Sequence, residues 1–89
     1  MTMRSIGLVE ANSYGAVVAA LDAMLKAANV EMVKYDMVGG VWAAVFIAGD
    51  IGAVQAAVEA GLAVAQQLGQ ARASVVANPT PEYLELYDL

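Results

Sequence analysis

The stretch Val30-Glu31-Met32-Val33-Lys34-Tyr35-Asp36-Met37-Val38-Gly39-Gly40-Val41-Trp42-Ala43-Ala44-Val45-Phe46-Ile47-Ala48 decides the fold. Its two arms, Val30–Val38 and Val41–Ala48, are rich in the β-branched and aromatic residues that suit a pleated surface. Gly39-Gly40 separates them. Both central residues of a tight primed turn need positive φ, which glycine adopts without steric penalty, so the pair reads as the tip of a β-hairpin.

Working outward, Ala16 to about Ala28 carries Val17, Leu21, Met24, Leu25 and Ala28 at helical spacing, an amphipathic helix. Asp22, Lys26 and Asn29 share a different face, and Asn12 or Ser13 caps the start. Before it, Ser5–Glu10 reads as a strand with Ile6, Leu8 and Glu10 facing one way. Gly7 marks close approach by a neighbour. After the hairpin, Asp50 is placed to cap a second helix from Ile51 to about Leu68. Its larger apolar residues are Val54, Val58, Leu62 and Leu68. Ala57, Gly61 and Ala65 form a small-residue stripe that permits close packing, and Gly69 fits the C-terminal cap. Gln70–Ala77 reads as a fourth strand, ended by Asn78-Pro79-Thr80-Pro81 because proline cannot donate to a ladder. Glu82–Leu89 suits one or two helical turns, either folded over a neighbouring surface or loose. The order β-α-β-β-α-β predicts a single α+β domain over 1–89, with a core of 5–77, a tail of 78–89 and both main helices on one face of the sheet.

Composition then restricts what such a domain does. Of 89 residues, 61% are hydrophobic and 15% charged, against roughly 45–50% and 25% in an average soluble domain. So small a globule has too little interior to hide that apolar surface. Uncharged stretches such as Ala11–Leu21 and Met37–Gly49 fall short of the ~18–20 residues of a spanning helix, so copies of the chain are expected to cover it and no membrane partner is expected. A net charge of −5, with Arg4, Lys26, Lys34 and Arg72 scattered singly, argues against nucleic acid. No cysteine is present, which suits a reducing cytosol, and no export signal is expected from Met-Thr-Met-Arg-Ser-Ile at the start.

Without His or Cys, Ser-His and Cys-His catalysis and the usual nitrogen and sulfur metal ligands are absent, and no phosphate-binding glycine motif occurs. Asp22 and Lys26, four apart, read as an ion pair rather than an acid–base couple. Asp50 reads as a helix cap rather than a metal ligand. Tyr35 and Asp36, near the hairpin tip, are candidates to hold something small, beside their plain reading as strand residues. No catalytic residue, metal or cofactor is expected.

In order along the chain come Gly7-Leu8-Val9-Glu10, Asp22-Ala23-Met24-Leu25-Lys26-Ala27-Ala28-Asn29-Val30, the glycine turn, Gly49-Asp50-Ile51-Gly52-Ala53-Val54, Ala56-Ala57 and Glu59-Ala60-Gly61. This ordered set, covering Ser5 to Val76, closely resembles the single-domain, hexamer-forming shell proteins of bacterial microcompartments, the BMC-domain family. The resemblance implies a ferredoxin-like βαββαβ variant with an antiparallel four-stranded sheet and a short C-terminal helix. It implies cyclic homo-hexamers that tile with other hexamers and shell proteins, enclose enzymes in the cytoplasm and pass small metabolites through a central pore. Carried over residue by residue, Val38, Gly39, Gly40 and Val41 line that pore. Lys26 lies at the hexamer edge, with Asn29 its neighbour there.

The departures from the family are specific. Met37 stands where lysine is common, Gly40 where serine is frequent and Val41 for a customary glycine, so the pore rim offers backbone amides and no hydroxyl. Trp42 is unusual just beyond the turn, and is expected at a subunit contact. Ala48 replaces an arginine before Gly-Asp. Asn78-Pro79-Thr80-Pro81 replaces an arginine-bearing segment that helps hold hexamer edges together, which makes Asn78 the edge candidate there. The alternative reading is a small oligomeric metabolite-binding regulatory domain of ferredoxin-like fold.

Overall fold

The run from Trp42 to Gly49 is apolar almost throughout because the strand it forms is covered on both faces. A computed structural model describes residues 4–38 and 42–89. Its elements are β1 (Ser5–Ala11), α1 (Tyr14–Ala27), β2 (Glu31–Val38), β3 (Trp42–Gly49), α2 (Ile51–Leu68), β4 (Ala71–Val76) and α3 (Pro81–Leu86). The strands form one antiparallel sheet in the order β2-β3-β1-β4, the α+β ferredoxin-like arrangement expected. The paired arms of the hairpin close at Val38 opposite Trp42. Its Gly39-Gly40 tip, with Val41, lies outside the described residues.

Alternation along each strand divides the sheet into two unlike faces. On the inner face Val9, Ala11, Ala43, Val45 and Ile47 are buried against α1 and α2. On the outer face Ile6, Ala44, Phe46 and Ala48 form a second buried cluster, and Leu8 packs beside them. The helices cover one face of β3 and the C-terminal tail the other, so hydrophobic alternation disappears.

The helices depart from the sequence reading where local rules compete. The Ser13 hydroxyl, not Asn12, accepts from the Ala16 amide, and α1 starts at Tyr14 rather than Ala16. Asn12 accepts instead from the Gln70 amide, tying the α1 entry to the loop before β4. The buried face of α1 is Ala16, Val17, Ala20 and Met24, while Leu25, expected on that stripe, is 46% exposed. Ala16 and Ala20 let α2 run close to this face, and Met24 lies over its Gly61. A Cβ added at Gly61 would lie 2.6 Å from Met24 Cγ and 3.2 Å from the Ala20 carbonyl oxygen. Ala57 and Ala65 are buried on the same stripe. Leu68, by contrast, is exposed. Asn29, grouped with Asp22 and Lys26 on one helix face, lies beyond the end of α1, which is capped at Ala28.

Asp50 occupies the N-cap of α2, but its side chain makes no capping hydrogen bond. Gly69 occupies the C-cap in extended conformation, so the reason for glycine is space. A Cβ there would lie 2.7 Å from Asn12 Oδ1.

The tail folds back onto its own sheet. Thr80 caps α3 by accepting from the Tyr83 amide, Pro81 sits in the first turn, and Asn78 makes the bend with φ 48°, a conformation asparagine tolerates. Tyr83, Leu84 and Leu89 then pack against the outer cluster. This packing desolvates the Tyr83 phenol, and together with the adjacent Tyr87 it raises the Tyr83 pKa. The neutral phenol is therefore favoured by folding. That stability is fully present below the unfolded tyrosine pKa of about 10 and is lost as pH rises through the raised folded value. Tyr83→Phe is expected to resist alkaline loss of stability better than the wild-type chain. Unfolding midpoints measured on both sides of that pH check it, and identical pH dependence would show that the phenol is irrelevant.

Candidate functional site

The edge strand β2 carries the most conspicuous surface feature. Edge strands normally blunt themselves with charge, because unpaired amides and carbonyls invite another chain. Here Met32, Val33, Tyr35 and Met37 are all 37% or more exposed. Tyr14 and Val18 of α1 are exposed too. The Tyr14 and Tyr35 rings meet edge to face, their centroids 5.8 Å apart, joining strand and helix into one apolar surface. The ladder slips between Met32 and Lys34, so Val33 falls at an irregularity of the β2–β3 pairing. Among the described residues no helix is long and apolar enough to cross a membrane.

The residues proposed for hexamer edges sit elsewhere. Lys26, in the last turn of α1, is exposed and makes a 2.9 Å ion pair with Asp22, as the spacing predicted. Asn29 and Asn78 are exposed, one in the α1–β2 connection and the other at the bend after β4. Of the residues expected at a pore, Val38 ends β2 opposite Trp42, whereas Gly39, Gly40 and Val41 lie outside the described residues.

A groove of about 250 Å³ opens on the outer face beside the tail. Register explains its lining. Asp36 of β2 pairs with Ala44 of β3, Ala44 with Glu10 of β1, and Glu10 with Arg72 of β4. The small Ala44 leaves a trough between two carboxylates, closed along one side by Phe46 and Tyr87, whose rings are 5.3 Å apart.

The charges around the groove are unequally committed. Arg72 donates to Glu10 at 2.5 Å, and its guanidinium lies 4.5 Å from the Trp42 ring centroid. Lys34 donates to the Tyr87 carbonyl at 2.7 Å and approaches Asp36 only to 3.9 Å. Asp36 accepts from the Met37 amide through one oxygen. Tyr35, grouped with Asp36 as a possible ligand contact, turns instead to Tyr14. No local pattern joins Glu10 to Arg72, 62 residues away, because only strand register makes them neighbours. Among the described residues no three His, Cys, Asp or Glu side chains are grouped to hold a metal ion.

The model of the BMC domain matches residues 5–80. The bacterial microcompartment shell protein PduA of Citrobacter freundii is 41% identical over 73 residues, which span 82% of this chain and 78% of that protein. The bacterial microcompartment shell protein EutM of Salmonella typhimurium is 33% identical over 88 residues, 98% of this chain and 92% of that one. A crystal structure of a microcompartment protein from Desulfitobacterium hafniense superposes with a TM-score of 0.79 at 40% identity. The match covers 93% of this chain, which spans about half (46%) of the length of that one. The chain belongs to the BMC-domain family of bacterial microcompartment shell proteins.

Proposed function

We propose that the chain closes into cyclic hexamers that tile edge to edge into a microcompartment shell, with a central pore for small metabolites. Its role is structural rather than catalytic. The observation that carries this reading is the exposed apolar edge of β2 and α1, in a chain whose fold is that of shell proteins. An edge of this kind on a lone subunit would aggregate without limit. A ring of head-to-tail contacts covers it on every copy and leaves none over.

In this arrangement Val38, Gly39, Gly40 and Val41 converge at the sixfold axis and line the pore. Lys26, Asn29 and Asn78 belong to the perimeter, where hexamers meet each other and other shell proteins. The enclosed enzymes lie on one side of the resulting sheet, in the bacterial cytoplasm.

The test is the mass of the purified protein by light scattering, with negative-stain microscopy of the same sample. Hexamers that extend into sheets or tubes are expected, and a monomer or dimer would overturn the reading. Lys26→Ala separates ring from sheet. Its ion pair with Asp22 is exposed on both sides, worth only about 0.3–0.5 kcal/mol, so the subunit and hexamer should survive. Sheets should disappear, and sheets of undiminished extent would remove Lys26 from the tiling contact.

A further inference from the structure

The outer-face groove is complete within one subunit, and neither ring closure nor tiling explains its chemistry. We propose that it binds a small organic cation, a protonated primary amine on a short apolar chain. The ammonium group sits on Asp36, and the chain lies over Ala44 against Phe46 and Tyr87.

Three features converge on this class of ligand. The first is commitment of charge. The Arg72 guanidinium is held by Glu10 and stacked on Trp42, and Lys34 is drawn to the Tyr87 carbonyl. An anion entering the groove would meet two carboxylates, and the one cation in its lining, Arg72, already has its Nε on Glu10, in a chain of net charge −5. The second is the wall. Aromatic faces attract cations through their quadrupole, and they also accept an aliphatic chain. The third is size, since a groove of about 250 Å³ has room for a chain of a few carbons.

Asp36 is the discriminating group. Its side chain is 53% exposed, and its second oxygen faces Lys34 only at 3.9 Å. An incoming ammonium gains a shorter, charge-assisted hydrogen bond there. A neutral alcohol of the same length keeps the apolar contacts and forgoes that bond.

Saturation-transfer NMR on the whole protein, with n-butylammonium, 1-butanol and butyrate as matched probes, tests the proposal and works at any assembly size. Butylammonium is expected to bind about fivefold more tightly than butanol, with butyrate weakest. Asp36→Asn should reduce butylammonium to the level of butanol. Glu59→Gln, which removes an exposed carboxylate on α2, should change nothing. Tyr87→Leu should weaken butylammonium and butanol together, and it keeps the proposal testable if Asp36→Asn is unstable. Equal binding of the three probes would overturn the site. So would an Asp36→Asn variant that binds like wild type, or equal losses in Asp36→Asn and Glu59→Gln, which would mean diffuse attraction to an acidic protein. The result is independent of the shell reading, because a failed site leaves hexamers intact and a failure to form hexamers leaves the single-subunit groove in place.

Discussion

Removal of residues 81–89 is expected to leave a destabilised chain that aggregates irregularly instead of forming ordered assemblies. Without α3, the outer faces of Ile6, Phe46 and Ala48, now 5% exposed or less, open to water together. Fully burying one large apolar side chain contributes about 1.5–3 kcal/mol. Tyr83, Leu84 and Leu89 are each partly buried, so the tail as a whole should contribute roughly 3–5 kcal/mol. That is a large share of the about 5–15 kcal/mol available to a domain of this kind. A fall in the melting temperature, binding of a hydrophobic dye and loss to the pellet are the expected readouts. Leu84→Asp should reproduce much of the effect in a full-length chain, which separates loss of cover from loss of length. An unchanged melting temperature in both variants would show that the outer cluster needs no cover from its own tail.

Gly7→Val is expected to be the most destabilising single substitution in the sheet. A Cβ at position 7 would stand 2.6 Å from Val58 Cγ2, 2.9 Å from Val54 Cγ1 and 3.1 Å from Ile47 Cγ1. All three neighbours are branched and buried at 7% exposure or less, so none has an open direction in which to turn. Overpacking at such a site costs about 1–3 kcal/mol, so Gly7→Ala should fall within that range and Gly7→Val above it. Denaturant midpoints measure the difference. Because the nearest clash is with Val58, the pair Gly7→Ala and Val58→Ala should be less destabilising than the sum of the singles. A stable Gly7→Val chain would mean that α2 can lift away from β1 without loss.

The elements themselves were legible because each rests on a local rule. The helical spacing of Val17, Leu21 and Met24, the alternation from Ile6 to Glu10 and the Gly-Gly break in the hairpin act within a few residues. Two glycines also announced close packing before any neighbour was known, and Gly7 and Gly61 do lie where a side chain has no room. Leu25 shows the limit of the same logic. Periodicity offers several acceptable stripes on a helix rich in alanine, and only the approach of α2 selects the one through Ala16, Ala20 and Met24.

The candidate sites divide in the same way. Lys26 paired with Asp22 as a four-residue step on a helix demands. The apolar excess in the composition foretold a surface that needs covering, but not that it would be concentrated along β2 and the start of α1.

By itself, then, the sequence determined the order and type of every element, the family, and the need for partners, since each follows from local propensity or from the ratio of apolar residues to chain length. Only the tertiary structure decided the rest. It put β3 at the centre with both faces covered, folded the tail onto the chain's own sheet, and aligned Asp36, Ala44, Glu10 and Arg72 across four strands into one groove. Strand register and the face chosen by a returning tail depend on contacts between residues tens of positions apart. No local pattern encodes such contacts until the core has closed around them.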